Sequence, residues 1–150
     1  MENQVIRSKG DLAEDFFSQG YNCSQAVFLA FTKECGIDEE TALKISSSFG
    51  GGMGRLREVC GAVTGMFMVA GLLYGYSDPK ENSSKARHYE KIQALASDFK
   101  EETNSIVCKE LLGLVETNEV KSKKIPCKDL VRRAATIMED FMNTHPTVEN

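Results

Sequence analysis

Apolar residues recur along this chain at intervals of three and four, with no sustained alternation of two. That period belongs to helices packed on one face, and it predicts an all-α protein without strands. The first periodic segment covers residues 4–18, with Leu12, Phe16 and Phe17 apolar and Gly20 as its stop. A second opens at Asn22, where Gln25 completes the polar pair of a capping box, and runs through Ala26, Val27, Ala30 and Phe31 to Gly36. Asp38 caps a third over residues 39–47. The run from Phe49 to Gly54 is too rich in glycine for a regular element. A fourth, apolar helix follows over residues 57–73. Asp78 and Pro79, an N-cap and a first-position proline, start a long fifth helix reaching residue 102. Asn104 or Ser105 restarts a short helix that carries Cys108, Leu111 and Leu112 and closes at Gly113. Residues 116–125 are polar and read as a linker. Pro126 begins the last helix, ending near residue 142, with a frayed tail at 143–150. The expected architecture is a single domain over residues 1–150, a bundle of about six helices around a central, glycine-containing apolar one.

Length and composition agree with one soluble globular core: 150 residues, 41% hydrophobic and 27% charged. A net charge of −4 argues against a nucleic-acid partner. The single basic cluster, residues 121–124, suits a solvated linker. Residues 59–77 are uncharged and approach membrane-spanning length. Their glycines, with Thr64 and Ser77, and the lack of a second such segment predict a buried helix and no membrane span. Residues 1–10 lack the apolar core of a secretory signal. Five cysteines in that context predict a cytoplasmic protein whose thiols serve as ligands or reactive groups more than as staples.

Four of those cysteines, Cys23, Cys60, Cys108 and Cys127, fall where helices are expected to begin. Helix starts carry unpaired N–H groups and a partial positive charge, which favour a thiolate. Arg55 and Arg57 lie close to Cys60 in sequence and add to that effect. Cys35 sits at an expected helix end, where the dipole has the opposite sign. The alternative for each is an inert buried thiol, common for free cysteine. No C-x-x-C pair occurs, and the four are too widely separated for spacing to define a metal site. Any cluster must be assembled by packing.

Glycines point the same way. Gly61, Gly65 and Gly71 inside a helix each cost about 1 kcal/mol against alanine, so a compensating close approach is expected. Gly61 and Gly65 share a face that admits either a neighbouring helix or a bound group. The Gly50–Gly54 loop with Arg55, in particular Gly52 and Gly54, could offer N–H groups to an anion, although it matches no nucleotide-binding motif. His88, set among Arg87, Tyr89 and Glu90, is expected to face solvent, and His145 lies in the tail. Neither suits a general base.

At these residues the chain resembles the redox-active protein family named for a C-G-A-x-x-G motif and four cysteines. Cys60-Gly-Ala-Val-Thr-Gly65 matches that motif, and residues 20–27 (GYNCSQAV) resemble its first cysteine block. Residues 51–55 (GGMGR) resemble its glycine segment, while Cys108-x-x-Leu-Leu-Gly113 and Cys127 resemble its last two blocks. The similarity spans residues 12–142. It implies a small cytoplasmic protein with Cys23, Cys60, Cys108 and Cys127 as its functional cysteines, in a family often encoded near transporter genes. Cys35 lies outside the pattern.

Three functions follow as expectations. The first is a redox protein whose four cysteines converge on one site, by thiol/disulfide chemistry or by holding an iron–sulfur cluster or zinc, with Arg55 as the neighbouring cation and Gly61 and Gly65 giving access. The second is a non-catalytic helical module that binds a transporter component or an identical subunit through the uncharged helix at 59–73. A small-anion site at residues 50–55 is the third and weakest.

Overall fold

A computed structural model describes residues 7–115 and 124–147 of the chain; parts of the expected first helix, the linker with its basic cluster, and the tail lie outside these. The described residues form helical segments with no strand: α1 (Lys9–Ser18), α2 (Cys23–Leu29), α3 (Thr32–Cys35), α4 (Glu39–Ser47), α5 (Gly50–Met53), α6 (Gly61–Tyr74), α7 (Asn82–Thr103), α8 (Cys108–Leu111) and α9 (Cys127–Thr144). The all-α architecture is as the periodicity predicts. Helix α6 is its centre, touching α2, α3, α5, α7 and α9, while α1 lies along α9.

Local chemistry explains most boundaries. Asn22 accepts from the Gln25 N–H at 2.9 Å, and the Gln25 side chain accepts from the Asn22 N–H at 3.1 Å, so the capping box is complete. Asp38 caps α4 by accepting from Thr41. Helix α9 buries a stripe of Leu130, Val131, Ala134, Ala135, Ile137, Met138 and Phe141. Its opposite side holds Arg132 against Asp11 and Glu14 of α1. In the core, Phe28, Phe31, Met66, Leu95, Phe99 and Met138 are almost wholly buried. Each contributes about 1.5–3 kcal/mol over an exposed position.

Five boundaries differ from expectation. The short helix expected from Asn104 or Ser105 begins at Cys108, because Val107 is extended in the bridge to Val59. The first helix begins only at Lys9, because Ser8 is extended and caps it through the Asp11 N–H. The expected second helix breaks at Phe31, whose φ of −120° leaves the helical region, giving α2 and α3. The long helix α7 begins at Asn82. Asp78 Oδ1 accepts from the Lys80 N–H at 2.9 Å, so Asp78-Pro79 forms a turn ahead of the helix. The apolar helix starts at Gly61, because residues 57–60 are drawn into a short antiparallel pairing with residues 106–109. There Cys60 N–H donates to Ile106 at 2.7 Å and Lys109 N–H to Arg57 at 3.2 Å, around a single Val59–Val107 bridge.

No described helix is long and apolar enough to cross a membrane. Of the helix expected as an interface, Ala62, Val63, Met66, Val69 and Ala70 are buried in the core, while Leu72 is half exposed.

Candidate functional site

Each of the four cysteines is placed by the start of an element. Cys23 is the first residue of α2 behind its cap, Cys60 is the N-cap of α6, Cys108 opens α8, and Cys127 opens α9 behind Pro126. The residue 57–60 pairing fixes Cys60 beside the start of α8. All four line one cavity of about 140 Å³, with Asn22, Gly51, Arg57 and Gly61 and the apolar side chains of Phe17, Leu112 and Leu130. Their sulfurs are free thiols. Cys23, Cys60 and Cys108 are buried and Cys127 is half-buried. Cys35, the last residue of α3, does not line the cavity.

Two glycines make the gathering possible. A Cβ at Gly61 would strike Cys23 Sγ and come within 2.8 Å of the Phe49 carbonyl. A Cβ at Gly52 would lie 2.6 Å from Cys108 Cβ and 2.9 Å from Arg57 Cα. Gly65 serves a different purpose. Its missing Cβ lets α6 approach Ser24 O and Val27 of α2, which is helix packing away from the cavity. Gly54 faces open space near Ser48, and Arg55 is exposed, so neither reaches the cysteines.

The cation at the site is Arg57, where Arg55 was expected. Its Nη1 donates to Cys108 Sγ at 3.7 Å. The substitution arises from a left-handed backbone over residues 51–57: Gly51, Gly52, Met53, Gly54, Arg55 and Arg57 all have φ between 60° and 72°. Three of these are not glycine, and each such residue costs about 1–2 kcal/mol in this region. The turn also engages part of the expected anion loop. The N–H groups of Met53, Arg55, Arg57 and Glu58 donate to the carbonyls of Phe49, Gly50, Gly51 and Gly52, leaving them committed to backbone.

The helix-start argument for low-pKa thiolates fails at two of the four cysteines. Burial, with the Cys23 sulfur nearby, pushes the Cys60 thiol from 9.0 to about 12, although the N–H groups of Ala62 and Val63 at the start of α6 oppose the rise. Burial also raises Cys127, helped by Cys23 and Cys108 and opposed by Arg57 and Lys124. Cys35 is pushed up to about 11 by burial and Glu34, so Cys60 is no lower than Cys35 and the expected contrast does not hold at Cys60. The donors exist as expected, but removing the sulfur from water outweighs them.

Among the described residues, no three His, Cys, Asp or Glu side chains are disposed to hold one metal ion. The four cysteines stand around a cavity, and their thiols are the donor chemistry that zinc or an iron–sulfur cluster takes.

Residues 21–141 match the family model described as "Putative redox-active protein (C_GCAxxG_C_C)". The chain belongs to this family. The descriptor writes glycine before the second cysteine, whereas the chain carries that block as Cys60-Gly61-Ala62. The matched span holds all four cavity cysteines. No curated protein and no solved structure matches the chain.

The histidines of this family member lie away from the cysteine cavity. His88 is buried, correcting its expected exposure; it shares the inner stripe of α7 with Ile92, Leu95 and Phe99, edge-on to Tyr76. Burial, then Lys91, lowers its pKa. His145 stacks on Phe141 at 3.9 Å. Sequence reasoning missed Phe17, Leu112 and Leu130 as cavity walls. Their apolar character marked them only as core.

Proposed function

We propose that this protein performs thiol–disulfide exchange with a low-molecular-weight disulfide at the four-cysteine cavity. The observation that supports this is the gathering of four free thiols, distant in sequence, around one cavity. In the exchange, one cysteine thiolate attacks a sulfur of the disulfide, whose S–S bond breaks and whose leaving thiolate takes a proton from water. A second cavity cysteine loses its proton to water and attacks the mixed disulfide, releasing the second thiol. Two protein thiols are oxidised to one disulfide and the partner disulfide is reduced to two thiols. A dithiol donor restores the reduced protein, as the reducing conditions of a cytoplasm would allow.

Size supports a small partner. A cavity near 150 Å³ admits a molecule such as benzene, and buried sulfurs are closed to the disulfide of a folded protein. Four thiols also suit zinc or an iron–sulfur cluster as a donor set, but the described arrangement does not fit one ion, and no step here runs through a metal.

The test is anaerobic incubation of reduced, metal-analysed protein with 2-hydroxyethyl disulfide. Metal-free protein should lose thiols in pairs and release mercaptoethanol in step, with dithiothreitol reversing the loss. An unchanged thiol count, or exchange only after zinc or iron loading, would overturn the proposal.

A further inference from the structure

We infer that Cys108 is the attacking sulfur of the cavity and that Arg57, carried on the left-handed turn at residues 51–57, is the residue that positions and charges it. This rests on the exchange chemistry proposed above, and it gives the cysteines unequal roles.

The turn fastens Arg57 at both backbone ends. Its N–H donates to the Gly51 carbonyl at 3.3 Å, and its own carbonyl accepts from Lys109, the residue after Cys108, at 3.2 Å. Arginine at φ 61° is held against its own preference. Gly52 leaves no side chain between the turn and Cys108, so the two segments meet closely. The product of these constraints is a guanidinium Nη1 at 3.7 Å from Cys108 Sγ, on the cavity wall. The contact sets a positively charged N–H donor against the Cys108 sulfur. Among the described residues, Cys108 is the one cavity sulfur with a cationic donor within hydrogen-bond reach. Cys60 is more deeply buried than Cys108, and its thiol is held protonated. Cys127 is half-buried; burial and the neighbouring sulfurs raise its pKa against the opposing charges of Arg57 and Lys124.

The step is then specific. The Cys108 thiolate attacks one sulfur of the small disulfide, forming the Cys108 mixed disulfide while the partner's S–S bond breaks and one thiolate leaves. A second cavity thiol attacks the Cys108 sulfur, and the second thiolate departs. Arg57 loses its anionic partner once Cys108 is oxidised.

Iodoacetamide alkylation of the reduced protein tests this, with the rate at each cysteine read by peptide mass spectrometry across a pH series. Cys108 should be the fastest of the four in wild type. Arg57→Gln and Arg57→Gly should slow Cys108 about tenfold at neutral pH and move its rate profile to higher pH, while Arg57→Lys keeps most of the rate. Glycine relieves the positive φ while removing the cation, so a purely structural role for Arg57 predicts a stable R57G protein with an unaltered Cys108 profile. That result, or a Cys108 no faster than Cys127 in wild type, would overturn the inference. Exchange with 2-hydroxyethyl disulfide at the wild-type rate in R57Q would also overturn it while leaving the proposed function standing. Absence of exchange in wild type would remove the function itself.

Discussion

Cys60 is the N-cap of α6; its carbonyl accepts from the Val63 and Thr64 N–H groups, and its side chain lies in the core, with the residue 4% exposed. Burial decides its proton: the folded thiol ionises near pH 12, against 9.0 ordinarily. Below pH 9 both folded and unfolded chains keep the proton, and stability is unaffected. Above it the unfolded chain ionises while the folded one does not, so stability falls as pH rises. The fall should approach about 1.4 kcal/mol per pH unit for this group. Urea unfolding at a series of alkaline pH values should show that slope in wild type and a flatter one in Cys60→Ser; equal slopes would mean that burial does not hold the proton. Gly61 offers a second check at this scale. Gly61→Ala sets a methyl against Cys23 Sγ and the Phe49 carbonyl, and should destabilise by about 1–3 kcal/mol while disturbing the cavity. Gly54→Ala pays only for its φ of 60° and should leave cysteine reactivity as it was.

Among the elements, caps were the legible part. Asn22 with Gln25, and Asp38, announce α2 and α4 in the sequence because one side chain and one N–H decide each. Asn22→Ala should cost about 1 kcal/mol in thermal or urea unfolding, since it opens the capping box and frees the Ser47 carbonyl. It should also loosen Cys23, the next residue, visible as faster alkylation at that position. What periodicity could not show was non-local. Residues 57–60 look like the first turn of an apolar helix, yet their backbone is satisfied by residues 106–109, far along the chain. Arg55 was chosen over Arg57 for the same reason: a run of left-handed residues reverses which side chain faces inward, and nothing local announces it. His88 was legible in principle. Its spacing to Ile92, Leu95 and Phe99 places it on the buried stripe, but its charged neighbours drew the opposite reading.

Across the whole molecule, four sulfurs from α2, α6, α8 and α9 share one cavity while Cys35 stays apart. That grouping was legible only as a set: four helix starts, with glycines where a close approach was needed. Their electrostatics were not, because burial depends on the finished core and cannot be read from helix position alone. The helix dipole supplies donors; the core supplies the larger, opposing effect. The family match covers residues 21–141, a span that holds these four cysteines and Cys35.

Non-reducing peptide mapping after stoichiometric oxidation tests the central claim most directly. The account predicts intramolecular disulfides formed only among Cys23, Cys60, Cys108 and Cys127, reversed by dithiothreitol, with Cys35 recovered as a free thiol. Disulfides that engage Cys35, or four cavity cysteines that all stay reduced, would contradict it.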